Sequence, residues 1–137
     1  MTKEIIEKIE ILDDYKFDVS HISEYEGYLL TTSEQKIFVV IESGQSCCED
    51  AGYLSTLDDV NEFIGAELQK IRLTNKALNK VIENKMKDDY LEVDDCVFVD
   101  FITSKGKFQI VVYNSHNGYY GHDIKIISKQ VNKEDCI

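Results

Sequence analysis

The sequence predicts an α+β fold: one domain of 137 residues built on a mainly antiparallel sheet of about five to seven strands, with two or three helices. Three observations lead there. Short runs rich in Val, Ile, Phe and Tyr recur between turn-forming residues. Two pairs of these runs are spaced as hairpins. Two other stretches carry apolar residues at helical intervals. The chain has no proline, and no low-complexity or linker-like segment divides it. One domain over residues 1–137 is therefore expected, with a tail from about residue 131 to 137 as a candidate for disorder.

Taken in order, Ile5, Ile6, Ile9 and Leu12 have helical spacing, while Ile9 and Ile11 alternate as in a strand, so residues 3–12 admit both. Tyr28–Thr32 and Lys36–Ile41 flank Ser33-Glu-Gln as a β-hairpin. Residues 43–52 read as a loop by composition. Thr56 with Asp59 fits a capping pattern, and Leu57, Val60, Phe63 and Ile64 form the apolar side of a short helix that Gly65 ends. Leu68–Leu73 is a strand. Asn75 is the expected cap of a second helix carrying Leu78, Val81, Ile82 and Met86. Cys96–Thr103 and Lys107–Tyr113 form the clearest hairpin, with Gly106 in its turn. Asp123–Ser128 is a last strand.

Bulk properties bound the function. At 43% hydrophobic the chain can bury a core. No apolar run approaches the roughly 20 residues of a membrane helix. The start of the chain is charged and lacks a signal-peptide apolar stretch, which points to the cytosol. A cytosolic setting argues against disulfides among the four cysteines. Cys96 reads as a buried strand residue and Cys136 as a free thiol of the tail. The net charge is −11, and Arg72 is the sole arginine. That balance disfavours direct binding of nucleic acid, whose phosphates need the opposite charge. The acids are clustered between Glu42 and Glu67 and between Asp88 and Asp100, with no lysine or arginine in either stretch. Glu49, Asp50, Asp58, Asp59, Glu62, Asp88, Asp89, Glu92, Asp94 and Asp95 are therefore candidate contacts for a basic protein.

Two loops carry metal-ligand chemistry. Cys47 and Cys48 follow one strong strand, and His116 and His122 follow another. Sulfur and imidazole nitrogen are the ligands Zn²⁺ favours, so these four residues form a candidate zinc site, with Glu49 or Asp123 as alternates. Gly118 and Gly121 would let the second loop fold back. The competing reading gives each histidine a local structural role. A catalytic reading would pair a cysteine thiolate with a histidine base. No helical metalloprotease motif, phosphate-binding glycine loop or serine elbow supports it, so no catalytic residue is assigned. His21 reads as a local residue. Tyr53, Tyr113, Tyr119 and Tyr120 could form a contact patch or cover a sheet edge.

Three blocks stand out: Ser46-Cys-Cys-Glu-Asp-Ala-Gly-Tyr53, Phe63-Ile-Gly-Ala-Glu-Leu68 and Tyr113-Asn-Ser-His-Asn-Gly-Tyr-Tyr-Gly-His-Asp123. On these blocks the chain resembles a small family of proteins found in bacteriophages and mobile elements of Gram-positive bacteria. In size, acidity and metal-like blocks it is also similar to type II-A anti-CRISPR proteins, and in particular to a metal-binding member of that group. This resemblance implies a phage-encoded, non-enzymatic inhibitor in the host bacterial cytoplasm. Such a protein binds a CRISPR effector nuclease and blocks DNA loading, with zinc as a structural element. The alternatives are a phage accessory module for another host protein and a small metal-dependent hydrolase.

Overall fold

The computed structural model describes residues 3–18, 23–43, 49–116 and 121–137, with Glu49 and His116 described by backbone alone. Among the described residues are nine strands: β1 (Ile6–Tyr15), β2 (Tyr25–Thr32), β3 (Lys36–Glu42), β4 (Glu49–Ser55), β5 (Leu68–Thr74), β6 (Cys96–Thr103), β7 (Gly106–His116), β8 (Asp123–Ile127) and β9 (Asn132–Cys136). One α-helix, α1 (Lys80–Asp88), and a single 3-10 turn at Val93–Asp95 accompany them. The strands form two antiparallel sheets, ordered β1-β2-β3-β8-β9 and β4-β7-β6-β5. The α+β expectation of one sheet with two or three helices is thus overturned in favour of a two-sheet β architecture.

The missing helix over 56–65 has a physical cause. Asp59 Oδ1 accepts the Asn61 N–H at 2.9 Å, and Glu62 Oε1 accepts the Asp58 N–H at 2.8 Å. These local side-chain bonds compete with helical pairing. The backbone bonds made within the segment are short-range, such as Glu62 N–H to Asp59 C=O and Ile64 N–H to Asn61 C=O. Leu57, Val60, Phe63 and Ile64 still pack on the core. Thr56 does not cap a helix; its Oγ1 accepts the Gln109 N–H. The second helix starts later than Asn75, because Asn79 is the residue whose side chain accepts the Val81 and Ile82 N–H groups. Residues 131–137, the expected disordered tail, carry β9 paired with β8.

The main core lies between the sheets. Ile37, Val39 and Ile41 from β3 and Phe108, Ile110 and Val112 from β7 are all fully buried there. In both runs these inward residues fall on every second position, as strand geometry requires. The Tyr28 hydroxyl meets Ser55 Oγ at 2.9 Å and joins the sheets. At one corner the sheets are stitched by backbone: Ile6 N–H to Ala66 C=O, Gly65 N–H to Ile6 C=O and Leu68 N–H to Glu4 C=O. Gly27 permits close approach of β2 to β3. Its φ is +144° and a Cβ there would run into the Val39 carbonyl.

A second cluster lies on the outer face of the β4-β7-β6-β5 sheet. Ile82, Met86 and Leu91 pack there on Phe98, Val111 and Tyr113. Beside it Gln109, fully buried, organises a polar network. Its Nε2 donates to Asp100 Oδ1 (2.8 Å) and to the Lys76 carbonyl (3.0 Å), and its Oε1 accepts the Leu78 N–H (3.0 Å). Arg72 Nε donates to the other Asp100 oxygen at 3.1 Å. The network ties down residues 76–78, which lead into α1.

Candidate functional site

Strand polarity brings one end of every strand described above to a common end of the molecule or sends it to the opposite one. In the first sheet Tyr15 pairs with Tyr25, Tyr25 with Glu42, and Asp123 with Cys136. In the second, Glu49 pairs with His116 and Cys96 with Tyr113. Asn114 Nδ2 donates to the Ile137 carbonyl at 2.9 Å, and Ile137 exchanges two backbone hydrogen bonds with His122. These contacts hold the two sheet ends together.

Carboxylates crowd this end. Asp13, Asp14, Glu24, Glu26 and Glu42 line a cleft of about 500 Å³ together with Ser23 and Ser43. Lys16 stands 3.8 Å from Glu24 as a counter-charge. Burial raises the Glu26 carboxyl above its ordinary value, Asp13 and Asp14 raise it further, and His122 opposes them. On the second sheet, burial and then Asp89 raise Asp50 in the same direction. Tyr113 couples the two groups: burial raises its hydroxyl, followed by Asp50, Asp89 and Glu26. The Tyr113 ring lies over Gly52, where a Cβ would stand 2.9 Å from the hydroxyl.

The raised Glu26 value has a consequence for stability. The folded protein holds this proton to higher pH than the unfolded chain does. The stability it contributes is full below the ordinary value of 4.5 and is lost as pH rises through the folded value. Glu26→Gln should therefore raise the thermal midpoint at neutral pH, and the gain should vanish below pH 4.5. Melting curves of both proteins across pH check this; a variant less stable at neutral pH contradicts it.

The expected contact acids divide between the two ends. Asp50, Asp88, Asp89, Glu92, Asp94 and Asp95 lie toward the carboxylate-rich end, on β4, the end of α1 and the approach to β6. The Glu49 backbone starts β4 there. Asp58, Asp59 and Glu62 belong to the segment that joins β4 to β5, which is bonded to the start of β1 at the opposite end. The cleft acids were not among the expected contacts: Asp13, Asp14, Glu24 and Glu26 precede both acid clusters in the sequence, and Glu42 only opens the first of them.

Of the four expected zinc ligands, Cys47 and Cys48 lie outside the described residues, as do His21, Tyr119, Tyr120 and Gly118. The His116 backbone ends β7 opposite Glu49, the alternate ligand, and the other alternate, Asp123, opens β8. His122 is buried, with Nδ1 2.6 Å from the Glu42 carbonyl oxygen. A carbonyl can only accept, so Nδ1 carries a proton and donates it there. The chain segments that enter and leave 44–48 and 117–120 thus meet at one place. Among the described residues no group of three or more His, Cys, Asp or Glu side chains is arranged to hold a metal. Cys136, expected as a free thiol of the tail, is free and exposed at this end as well, with its Sγ against Gly121. Cys96 is pushed up to about 12 by burial and by Asp95, which keeps it a protonated thiol. No described helix is long and apolar enough to cross a membrane.

No curated protein and no solved structure matches the chain. A family model does match, over residues 2–126, nearly the whole length. The chain therefore belongs to the family described as DUF7448, a domain of unknown function.

Proposed function

We propose that this protein is a non-catalytic, phage-encoded inhibitor that sets its carboxylate-rich end against a basic surface of a host protein, and that this host protein is a type II CRISPR effector nuclease. The observation that carries the reading is the convergence of acids from β1, β2, β3, β4 and the 88–95 segment at one end of the fold. The nuclease holds guide and target in positively charged channels. An anionic body of this size competes for such a channel with DNA, and its field accelerates the encounter.

A structural zinc ion at the same end belongs to this reading, held by Cys47, Cys48, His116 and His122. Its support is the meeting of the flanking strands and the Nδ1–H to carbonyl bond of His122. Metal-bound imidazoles commonly donate their other N–H in this way. The protein would gain folding energy from the metal and use no open coordination position.

Both halves are tested together. Guide-loaded nuclease is challenged with target DNA and a molar excess of this protein, while the purified protein is assayed for metal by mass spectrometry. Expected are loss of DNA loading that weakens as salt rises, and stoichiometric zinc. Full cleavage in the presence of excess protein removes the nuclease as partner; metal-free protein removes the zinc. Capture from a host lysate of a different basic protein, lost on changing Asp13, Asp14 and Glu42 to their amides, would favour the accessory-module alternative.

A further inference from the structure

We propose that Tyr90 is the anchor by which the carboxylate-rich end takes an arginine-bearing segment of its protein partner. This inference rests on the anionic-surface reading above and adds the contact residue and the side chain it selects.

Tyr90 is 89% exposed, the most exposed large hydrophobic side chain among the described residues. It sits just past α1 with φ +56°, a left-handed position that glycine usually fills. The turn is locked from below. The Leu91 N–H bonds the Met86 carbonyl at 2.8 Å and the Tyr90 N–H bonds the Lys87 carbonyl. Leu91 and Met86 are both buried against Phe98 and Val111. The backbone that carries the ring is therefore held in place, and the chain carries tyrosine where glycine would fold at lower strain. Nothing in the local packing rewards that choice.

Its surroundings say what the ring would meet. Asp88, Asp89, Glu92, Asp94 and Asp95 surround Tyr90 in the sequence with no base among them. Val93, 47% exposed, extends the apolar area into a groove that Leu78, Met86 and Leu91 also line. Lys76, Lys87 and Glu83 line that groove too, so the anionic character belongs to the 88–95 segment and not to the groove. A guanidinium suits this combination. It stacks flat on an aromatic face while its N–H fork reaches carboxylates. An ammonium is more strongly hydrated and lacks the plane. A phosphate backbone would be repelled. Tyrosine and arginine are also the residues that most often carry binding energy at protein interfaces.

The probes are an oligoarginine and an oligolysine peptide of equal length, titrated into the full chain at about 0.15 M salt and followed by amide NMR. Expected are shifts at residues 88–95 and about fivefold tighter binding of oligoarginine. Tyr90→Gly should weaken oligoarginine binding by about fivefold and leave the thermal midpoint unchanged or raised, since glycine suits the backbone there. Equal affinities for the two peptides overturn the proposal. So does binding confined to the Asp13–Glu42 cleft with Tyr90→Gly indistinguishable, an outcome that leaves the anionic-surface reading intact. Binding of neither peptide overturns both. Self-association of the native chain that Tyr90→Gly abolishes would assign the ring to a second copy and overturn the proposal as well.

Discussion

Phe108→Ala is expected to cost roughly 3–5 kcal/mol of folding stability. The ring is fully buried on the inner face of β7. It stacks on Phe101 of β6, with centroids 4.8 Å apart and planes 6° from parallel. Phe63, from the segment that joins β4 to β5, lies 4.6 Å away on a tilted plane. Truncation removes contacts to the neighbouring strand and to the connecting segment at once. β6 is hydrogen-bonded in register beside it, with Phe101 opposite Phe108, so the backbone cannot close over the gap. Urea unfolding of the variant and the parent checks this. A midpoint shift worth less than about 1 kcal/mol would mean that the 56–66 segment refills the space.

Gln109→Leu is the second large effect, with an expected loss of about 2–4 kcal/mol, because a buried polar group left without its partner bears its full desolvation cost. The substitution conserves size but deletes three hydrogen bonds. It strands the Lys76 carbonyl, the Leu78 N–H and one Asp100 oxygen. Asp100 is almost wholly buried and would keep only Arg72, whose own side chain is 44% exposed. The damage should be local in character. Residues 76–78 lead directly to the Asn79 cap, so amide exchange across α1 should accelerate more than exchange in β2 or β3. Uniform acceleration across both sheets would show that the network supports the whole fold and not the helix approach.

Much of the strand content was legible because it followed simple periodicities. Cys96–Thr103 and the run after Gly106 alternate inward and outward residues around a turn with positive φ, and they form β6 and β7. The first strand was ambiguous for a specific reason. Register shifts between Ile6 and Lys8 and between Leu12 and Tyr15 break the two-residue alternation, and irregular strands of this kind imitate a helical spacing. β4 was hidden by its small residues. Ala51 faces the core and Gly52 yields space to the Tyr113 ring, so a segment chosen for fit reads as a loop. The segment 56–65 misled in the opposite sense. Its apolar spacing is helical and its burial follows that spacing, but Asp59 and Glu62 divert the N–H groups a helix needs. The candidate site was legible only in part. The acid runs announced Asp50 and the 88–95 segment, whereas Asp13, Glu26 and Glu42 become neighbours only through strand order.

The pairing of β3 with β8 joins positions 38 and 127. Contacts between such distant parts of a chain are slow to form, because much disordered polymer must be confined before any bond rewards it. During synthesis the β1-β2-β3 meander emerges long before its remaining neighbour, and the far side of β3 offers unsatisfied amides to any strand nearby. Refolding should therefore proceed on a millisecond-to-second timescale, and crowding of nascent chains at that bare flank is the step at which this protein would be most prone to misassembly.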